Sequence, residues 1–282
     1  MKPLRNFAMQ LFAAFVLAAA GALSATAAFA GETLDRVKES GVLTVASDAN
    51  WAPQSFLNDN NEMDGFDVDV AKEIARRMGV DIKFVTPEWD IITAGNWAGR
   101  WDISVGSMTP TEARSEVLDF PGVYYYTPAS FAVHEDSSAQ TKADLNGKRI
   151  AACSACTYEY YLQKDLTIDA EGVPPFEYEV TAGEIVSLKD PSAIFNDLRL
   201  GDGVRLDAML DSLPAIREAI DSGYPLRVVG TPAFYEPLSV AIDKGDAEFN
   251  AILADIIKTM HREGVLSQLS QKWYGIDYSS SN

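Results

Sequence analysis

Apolar and polar positions fall into blocks along the chain, and the blocks change period. Val42-Leu43-Thr44-Val45-Ala46 reads as a strand, bounded by Gly41 before it and Ser47-Asp48-Ala49-Asn50 after it. Residues 67–78 then place Ala71, Ile74, Ala75 and Met78 at i, i+3, i+4 and i+7, the spacing of one helix face, and Gly79 supplies the stop. Ile82-Lys83-Phe84-Val85 and Asp102-Ile103-Ser104-Val105 predict two further strands. The pattern restarts with a strand at Arg149-Ile150-Ala151-Ala152 and a helix over 157–165. A second helix is capped by Asp190 with Pro191 at its first position, and strands are expected over 206–210 and 227–229. The longest apolar stripe, Phe249, Ile252, Leu253, Ile256, Ile257 and Met260, predicts a helix with one buried face. Strands alternating with helices argue for βαβ units, hence an α/β fold of mostly parallel sheet flanked by helices.

Two short extended segments separate the halves of this pattern. Thr127-Pro128-Ala129-Ser130 lies between Tyr124-Tyr125-Tyr126 and Phe131-Ala132-Val133, and Thr231-Pro232 leads into Leu238-Ser239-Val240-Ala241. Neither is a Gly/Ser linker. A chain that crosses twice builds one lobe from its two ends. The expected division is residues 31–128 with 235–282 in lobe 1 and residues 129–234 in lobe 2. Ligands of open α/β sheets sit beyond the carboxyl ends of strands, which makes the cleft between lobes the expected site.

Residues 1–30 stand apart. Lys2 and Arg5, an apolar run from Phe12 to Leu23 and the ending Ala28-Phe29-Ala30 form the three parts of a secretory signal. Cleavage is expected after Ala30, leaving a soluble protein outside the cytoplasm.

Composition narrows the function classes. A chain of 282 residues that is 47% hydrophobic and 10% aromatic packs a core and has length for two domains. With 41 acidic against 23 basic side chains and a net charge of −18, it is a poor partner for nucleic acid or an anionic membrane surface.

Several segments could carry chemistry. In Ser107-Met108-Thr109-Pro110-Thr111-Glu112-Ala113-Arg114, directly after a strand, Thr109 suits an N-cap, Pro110 the first helical position and Glu112 the third. Such a helix start offers free N–H groups to a carboxylate, and Arg114 adds a planar fork that can grip one with two hydrogen bonds. The same residues also suit an ordinary capped helix with a surface arginine. Asp48 and Trp51 follow the first strand and Trp89 the second; the tryptophans could clamp an apolar or cationic side chain, or fill a core. Asp211 sits just past a strand, where it could receive an ammonium group or cap a helix. Cys153-Ser154-Ala155-Cys156 lies between a strand and a helix, the setting of thiol–disulfide exchange motifs, and in an exported protein also of a small structural disulfide. His134 and His261 are the only histidines and have no ligand spacing to the cysteines, so neither zinc nor a histidine-based nucleophilic site is expected. No phosphate-binding glycine loop occurs, and no cofactor is expected.

Taken together, these segments resemble the periplasmic solute-binding proteins of ABC importers, in the polar amino acid family (bacterial solute-binding protein family 3). Leu43 to Asp48, Gly65-Phe66-Asp67-Val68-Asp69-Val70-Ala71, Glu88-Trp89-Asp90, Trp101-Asp102-Ile103-Ser104 and the run from Ser107 to Arg114 follow its pattern in order. Leu118-Asp119-Phe120, Tyr124-Tyr125 and Leu145-Asn146-Gly147-Lys148-Arg149-Ile150 continue it, so that the likeness covers about residues 36–275. The resemblance implies a two-lobed periplasmic-binding-protein fold of the Venus-flytrap kind, with two hinge crossovers. It implies a periplasmic, monomeric protein that binds an amino acid or related compound and serves the membrane subunits of an ABC permease. Arg114 matches the arginine that pairs with the ligand α-carboxylate, with Ser107 and Thr109 beside it and Thr157 contributing from lobe 2. Asp211 matches the acid that receives the α-ammonium. Trp51 and Trp89 match pocket walls, and Asp48 a polar position near the far end of the ligand side chain. A disulfide between Cys153 and Cys156 would stiffen the loop leading to Thr157. Other uses of the same fold are a periplasmic dehydratase of cyclohexadienyl acids and a ligand-sensing module for a receptor. The sequence departs from the family pattern at Gln54, where Phe is usual, at a small insertion over 201–204, and in an Asp207 to Asp211 spacing one residue shorter than usual.

Overall fold

The computed structural model describes residues 32–170 and 172–280; the leader expected over residues 1–30 lies outside the described residues. The chain opens with α1 (Glu32–Ser40), β1 (Val42–Ala46), β2 (Asn50–Trp51), β3 (Ser55–Leu57), β4 (Met63–Asp64), α2 (Phe66–Met78), β5 (Asp81–Val85) and α3 (Trp89–Thr93). It continues through β6 (Ile103–Met108), the short α4 (Glu112–Ser115) and the long β7 (Leu118–His134). Next come β8 (Arg149–Cys153), α5 (Thr157–Gln163), β9 (Glu184–Leu188), α6 (Pro191–Leu198), β10 (Ala208–Ser212) and α7 (Leu213–Asp221). Another long strand, β11 (Leu226–Asp243), leads to α8 (Ala247–Arg262) and α9 (Val265–Tyr274).

Eight strands hydrogen-bond in the order β5-β1-β6-β11-β7-β10-β8-β9. The outer strands are parallel on each side: β5, β1 and β6 at one end, β10, β8 and β9 at the other. Between them run β7 and β11, 17 and 18 residues long and antiparallel to each other. The segments expected as hinges therefore lie inside two continuous strands. At the crossing, Tyr235 pairs with Pro128 and Glu236 with Thr127. The register slips between Val229 and Phe234, around Pro232, whose missing N–H cannot serve the ladder.

Two large hydrophobic cores flank the crossing, with a smaller third around Trp97 and Trp101 in lobe 1, giving a two-lobed α/β architecture. One gathers Leu43, Val45, Phe66, Ile74, Ile103, Tyr124, Tyr125 and Val240 with the α8 stripe Phe249, Leu253, Ile257 and Met260. The other packs Phe131, Ile150, Tyr161, Ile194, Met209, Leu210, Ile216 and Phe234. Burial of this much apolar surface in separate cores on the two sides of the crossing favours lobes that are each rigid and that move as units.

One contact fixes the floor between them. Gly65 precedes α2 with φ 127°, and a Cβ there would lie 2.3 Å from the Gln54 carbonyl oxygen, so only glycine allows the approach. The Phe66 and Asp67 N–H groups donate to the Pro53 and Gln54 carbonyls at 3.1 and 2.9 Å, which satisfies two free donors of the helix start. This docking carries Asp67, fully buried, beneath the cleft.

The helix expected to be capped by Thr109 begins later. Its cap is Thr111, whose Oγ1 accepts from the Arg114 N–H at 3.3 Å. Thr109 and Pro110 stay outside the helix because they have partners elsewhere. The Thr109 hydroxyl donates to Glu236, Asp169 donates to the Pro110 carbonyl at 2.9 Å, and Thr111 bridges to Ile168.

Candidate functional site

Strand ends and the loops after them border a cleft between the lobes whose empty space, counted out to its solvent-facing mouth, is about 510 Å³. From lobe 1 it is lined by Asp48, Trp51, Trp89, Ser107, Thr109 and Arg114, and from lobe 2 by Cys153, Cys156, Thr157 and Tyr158. Glu236, on the crossing strand β11, completes the wall.

Arg114 is the central cation. Its residue is only 4% exposed, and Nη1 donates to the Thr109 carbonyl at 2.9 Å while Nη2 reaches across to the Ala155 carbonyl at 2.7 Å. The guanidinium also lies over the Trp89 ring, 5.5 Å from its centroid, so one face of that tryptophan is already taken. Among the described residues no carboxylate reaches salt-bridge distance of Arg114, and its Nε has no partner. Burial lowers its pKa to about 10, which leaves it cationic at neutral pH. A buried cation without an anionic partner is costly, and an incoming carboxylate would relieve that cost.

Ser107 is held from below. Its backbone is left-handed, φ 55°, a conformation that serine adopts at a cost of about 1–3 kcal/mol. Three contacts compensate: the Ser107 N–H donates to Tyr124 Oη at 2.8 Å, its Oγ donates to Asp67 Oδ2 at 2.7 Å, and its Oγ meets the Tyr125 hydroxyl. Tyr124 in turn donates to Asp67 Oδ1 at 2.8 Å. Burial pushes the Asp67 carboxyl up to about 7 although the Ser107 and Tyr124 hydroxyls pull it down.

The lobe 2 wall is the Cys153-to-Cys156 loop. The two cysteines are joined in a disulfide with Cα atoms 5.5 Å apart, and Ala155 inside the ring is left-handed at φ 60°. That geometry turns the Ala155 carbonyl toward lobe 1, where it accepts from Arg114 and, at 3.3 Å, from Trp89 Nε1. At the cleft mouth, Lys189 and Asp90 form an exposed ion pair between lobes at 2.7 Å, of the kind that contributes little on its own. Asp48 accepts from the Asn50 N–H at 2.7 Å, and its carboxyl is raised by burial and further by Asp190 and Glu88.

Seven of the eight expected site residues, Asp48, Trp51, Trp89, Ser107, Thr109, Arg114 and Thr157, thus line one cleft. Asp211 does not line it. That residue is fully buried behind Trp51, accepting from the Ser212 N–H at 2.7 Å and from Trp51 Nε1 at 3.4 Å. Burial pushes its carboxyl up to about 7. Gln54, the polar replacement noted in the sequence, is buried with its amide 3.0 Å from Ser212 Oγ in lobe 2. Glu236 was not among the expected site residues. The signal that could have found it is an acid inside the apolar run from Phe234 to Val240, next to a hinge candidate.

The family model described as bacterial extracellular solute-binding proteins, family 3, matches residues 43–276. The L-cystine-binding protein TcyJ of Escherichia coli is 29% identical over 247 residues, covering 86% of each chain. The L-arginine-binding protein of Pseudomonas aeruginosa is 27% identical over 241 residues, covering 84% of this chain and 90% of its own. Among solved structures, a mutant of ArgBP from T. maritima superposes with a TM-score of 0.74 at 26% identity, covering 86% of this chain and 99% of the other. The ancestral amino acid-binding protein AncCDT-1, a precursor of cyclohexadienyl dehydratase, gives 0.73 at 28% identity, with coverage of 86% and 99%.

Proposed function

The chain belongs to the bacterial extracellular solute-binding proteins, family 3, and from that premise we propose that it captures a single amino acid in the interlobe cleft and delivers it to the membrane subunits of an ABC permease. The observation that carries this reading is Arg114: a buried guanidinium with no carboxylate partner among the described residues, bonded to carbonyls of both lobes. The ligand α-carboxylate pairs with it, with Ser107, Thr109 and Thr157 around that end. Trp51 and Trp89 flank the ligand side chain, and Asp48, with Asp190 and Glu88 nearby, faces its far end.

Closure follows from drawing the ligand's contacts from both lobes, Arg114, Ser107 and Thr109 from one and Thr157 from the other. A ligand that contacts only one lobe gains little from closing, whereas one that touches both shifts the equilibrium by its differential affinity for the closed form. The lobes are proposed to divide as residues 31–128 with 235–282 and residues 129–234, the division that the two large hydrophobic cores support. The protein works as a monomer in the periplasm after removal of a leader at Ala30, binds no nucleic acid and catalyses no reaction. Support comes from relatives named for amino acid binding, some of them as periplasmic proteins.

A thermal-shift screen of L-cystine and the standard L-amino acids tests the reading, because a ligand that binds the folded state raises its melting temperature. A rise with at least one of them is expected. No shift with any, together with aromatic product from a cyclohexadienyl acid, would favour the dehydratase instead.

A further inference from the structure

Glu236 sits at the centre of the crossing, paired in register with Thr127 on β7, and is 2% exposed. Its Oε1 accepts from the Thr109 hydroxyl of lobe 1 at 2.9 Å and from the Thr157 hydroxyl of lobe 2. Both threonines thereby orient the carboxylate. Its other oxygen, Oε2, is buried and has no partner, and no basic side chain among the described residues forms a salt bridge with it. The cleft therefore presents two unfilled groups of opposite sign: Glu236 Oε2 as an acceptor and Arg114 Nε as a donor. The Tyr158 hydroxyl also faces this carboxylate without coming into hydrogen-bond geometry with Oε2, and a buried carboxylate with one oxygen left unpartnered is completed by a cationic donor. Asp211, the acid that the family pattern would assign to an ammonium, accepts from the Ser212 N–H and Trp51 Nε1 through Oδ1; its Oδ2 is also without a partner, but the residue is buried behind Trp51 and, unlike Glu236, does not line the cleft.

We propose that Glu236, not Asp211, receives the ligand α-ammonium, and that it makes the cleft selective for α-amino acids over the same acids lacking the amine. This rests on the amino-acid reading above. Burial raises the Glu236 carboxyl, with the Thr157, Tyr158 and Thr109 hydroxyls and the Arg114 charge acting against that rise, so it is sensitive to the arrival of a positive charge. Glu236→Gln keeps the shape and an oxygen for both threonine hydroxyls but turns the free position from acceptor to donor.

The test is calorimetry on wild type, Glu236→Gln and Asp211→Asn. Wild type is first titrated with L-cystine and the standard L-amino acids; the tightest binder and its desamino analogue then form the probe pair. In wild type the amino acid is expected to bind about 10- to 150-fold more tightly than the desamino acid, the range of a charge-assisted hydrogen bond. In Glu236→Gln that ratio should collapse toward one while affinity for the desamino acid holds; Asp211→Asn should keep the ratio. Glu236→Asp, which retains the charge but withdraws it by a methylene, reads out the same loss of discrimination if the amide variant does not fold. Equal weakening of both probes by Glu236→Gln, or collapse of the ratio in Asp211→Asn instead, would overturn the assignment. Failure of wild type to bind any of these amino acids would overturn the amino-acid reading itself, and is seen before any variant is made.

Discussion

The guanidinium of Arg114 and the carbonyl of Ala155 join the lobes at 2.7 Å, and the accepting oxygen belongs to the ring closed by Cys153 and Cys156. The disulfide thus holds the left-handed Ala155 that points this carbonyl at lobe 1. A Cys153→Ser/Cys156→Ser variant should lose on the order of 2 kcal/mol of unfolding free energy for so short a loop, should melt lower, and should bind its amino acid more weakly. Linkage adds a reciprocal expectation: bound amino acid should make the disulfide harder to reduce at equilibrium, lowering its midpoint potential. Unchanged affinity and melting temperature in the double variant would remove the loop from the account.

Asp67 supplies a pH dependence with a definite sign. Its carboxyl is raised from 3.8 to about 7 by burial, so the native state binds a proton that the unfolded state releases. The stability this contributes is present below the unfolded pKa and is lost as pH rises through the folded one. Asp67→Asn, neutral at every pH, should therefore gain in melting temperature relative to wild type between about pH 4 and about pH 8. Asp211, also raised to about 7, carries the same sign, and Asp211→Asn should remove a further part of the slope. Parallel melting curves for wild type and Asp67→Asn across that range would contradict the buried ionisation.

Gly65→Ala tests the docking of α2. The added Cβ would meet the Gln54 carbonyl oxygen at 2.3 Å, with backbone atoms on both sides and φ 127° open only to glycine. A loss of more than about 3 kcal/mol in denaturant unfolding is expected, because neither backbone can yield cheaply. A change under about 0.5 kcal/mol, the scale of an indifferent surface substitution, would mean that the floor of lobe 1 is looser than the contact implies.

What the sequence displays and what it hides differ in physical origin. The strand at Val42–Ala46 and the helix ending at Gly79 are legible because their signals are local: an apolar run between polar clusters, and a left-handed stop that glycine fills. The stripe of α8 is legible for the same reason. The Thr109-Pro110-Thr111-Glu112 run holds two candidate caps, and the choice between them is made 127 residues away, where Glu236 takes the Thr109 hydroxyl. Glu236 itself belongs to no motif; its burial and its open oxygen exist only once β11 crosses between the lobes. The prolines at 128 and 232 mark the crossings in sequence but not their form, since strand pairing runs through both segments with a slip at the second.

Arg114 carries the central claim, and Arg114→Ala measured by calorimetry against the amino acid that most raises the wild-type melting temperature tests it most directly. Removing the cation leaves a ligand carboxylate buried without its charge partner, so affinity should fall by at least about 100-fold, to the edge of detection. The fold should survive, because Arg114 bonds carbonyls and anchors no core residue. An affinity within about 3-fold of wild type, from a variant with a normal melting transition, would contradict the cleft as the amino acid site.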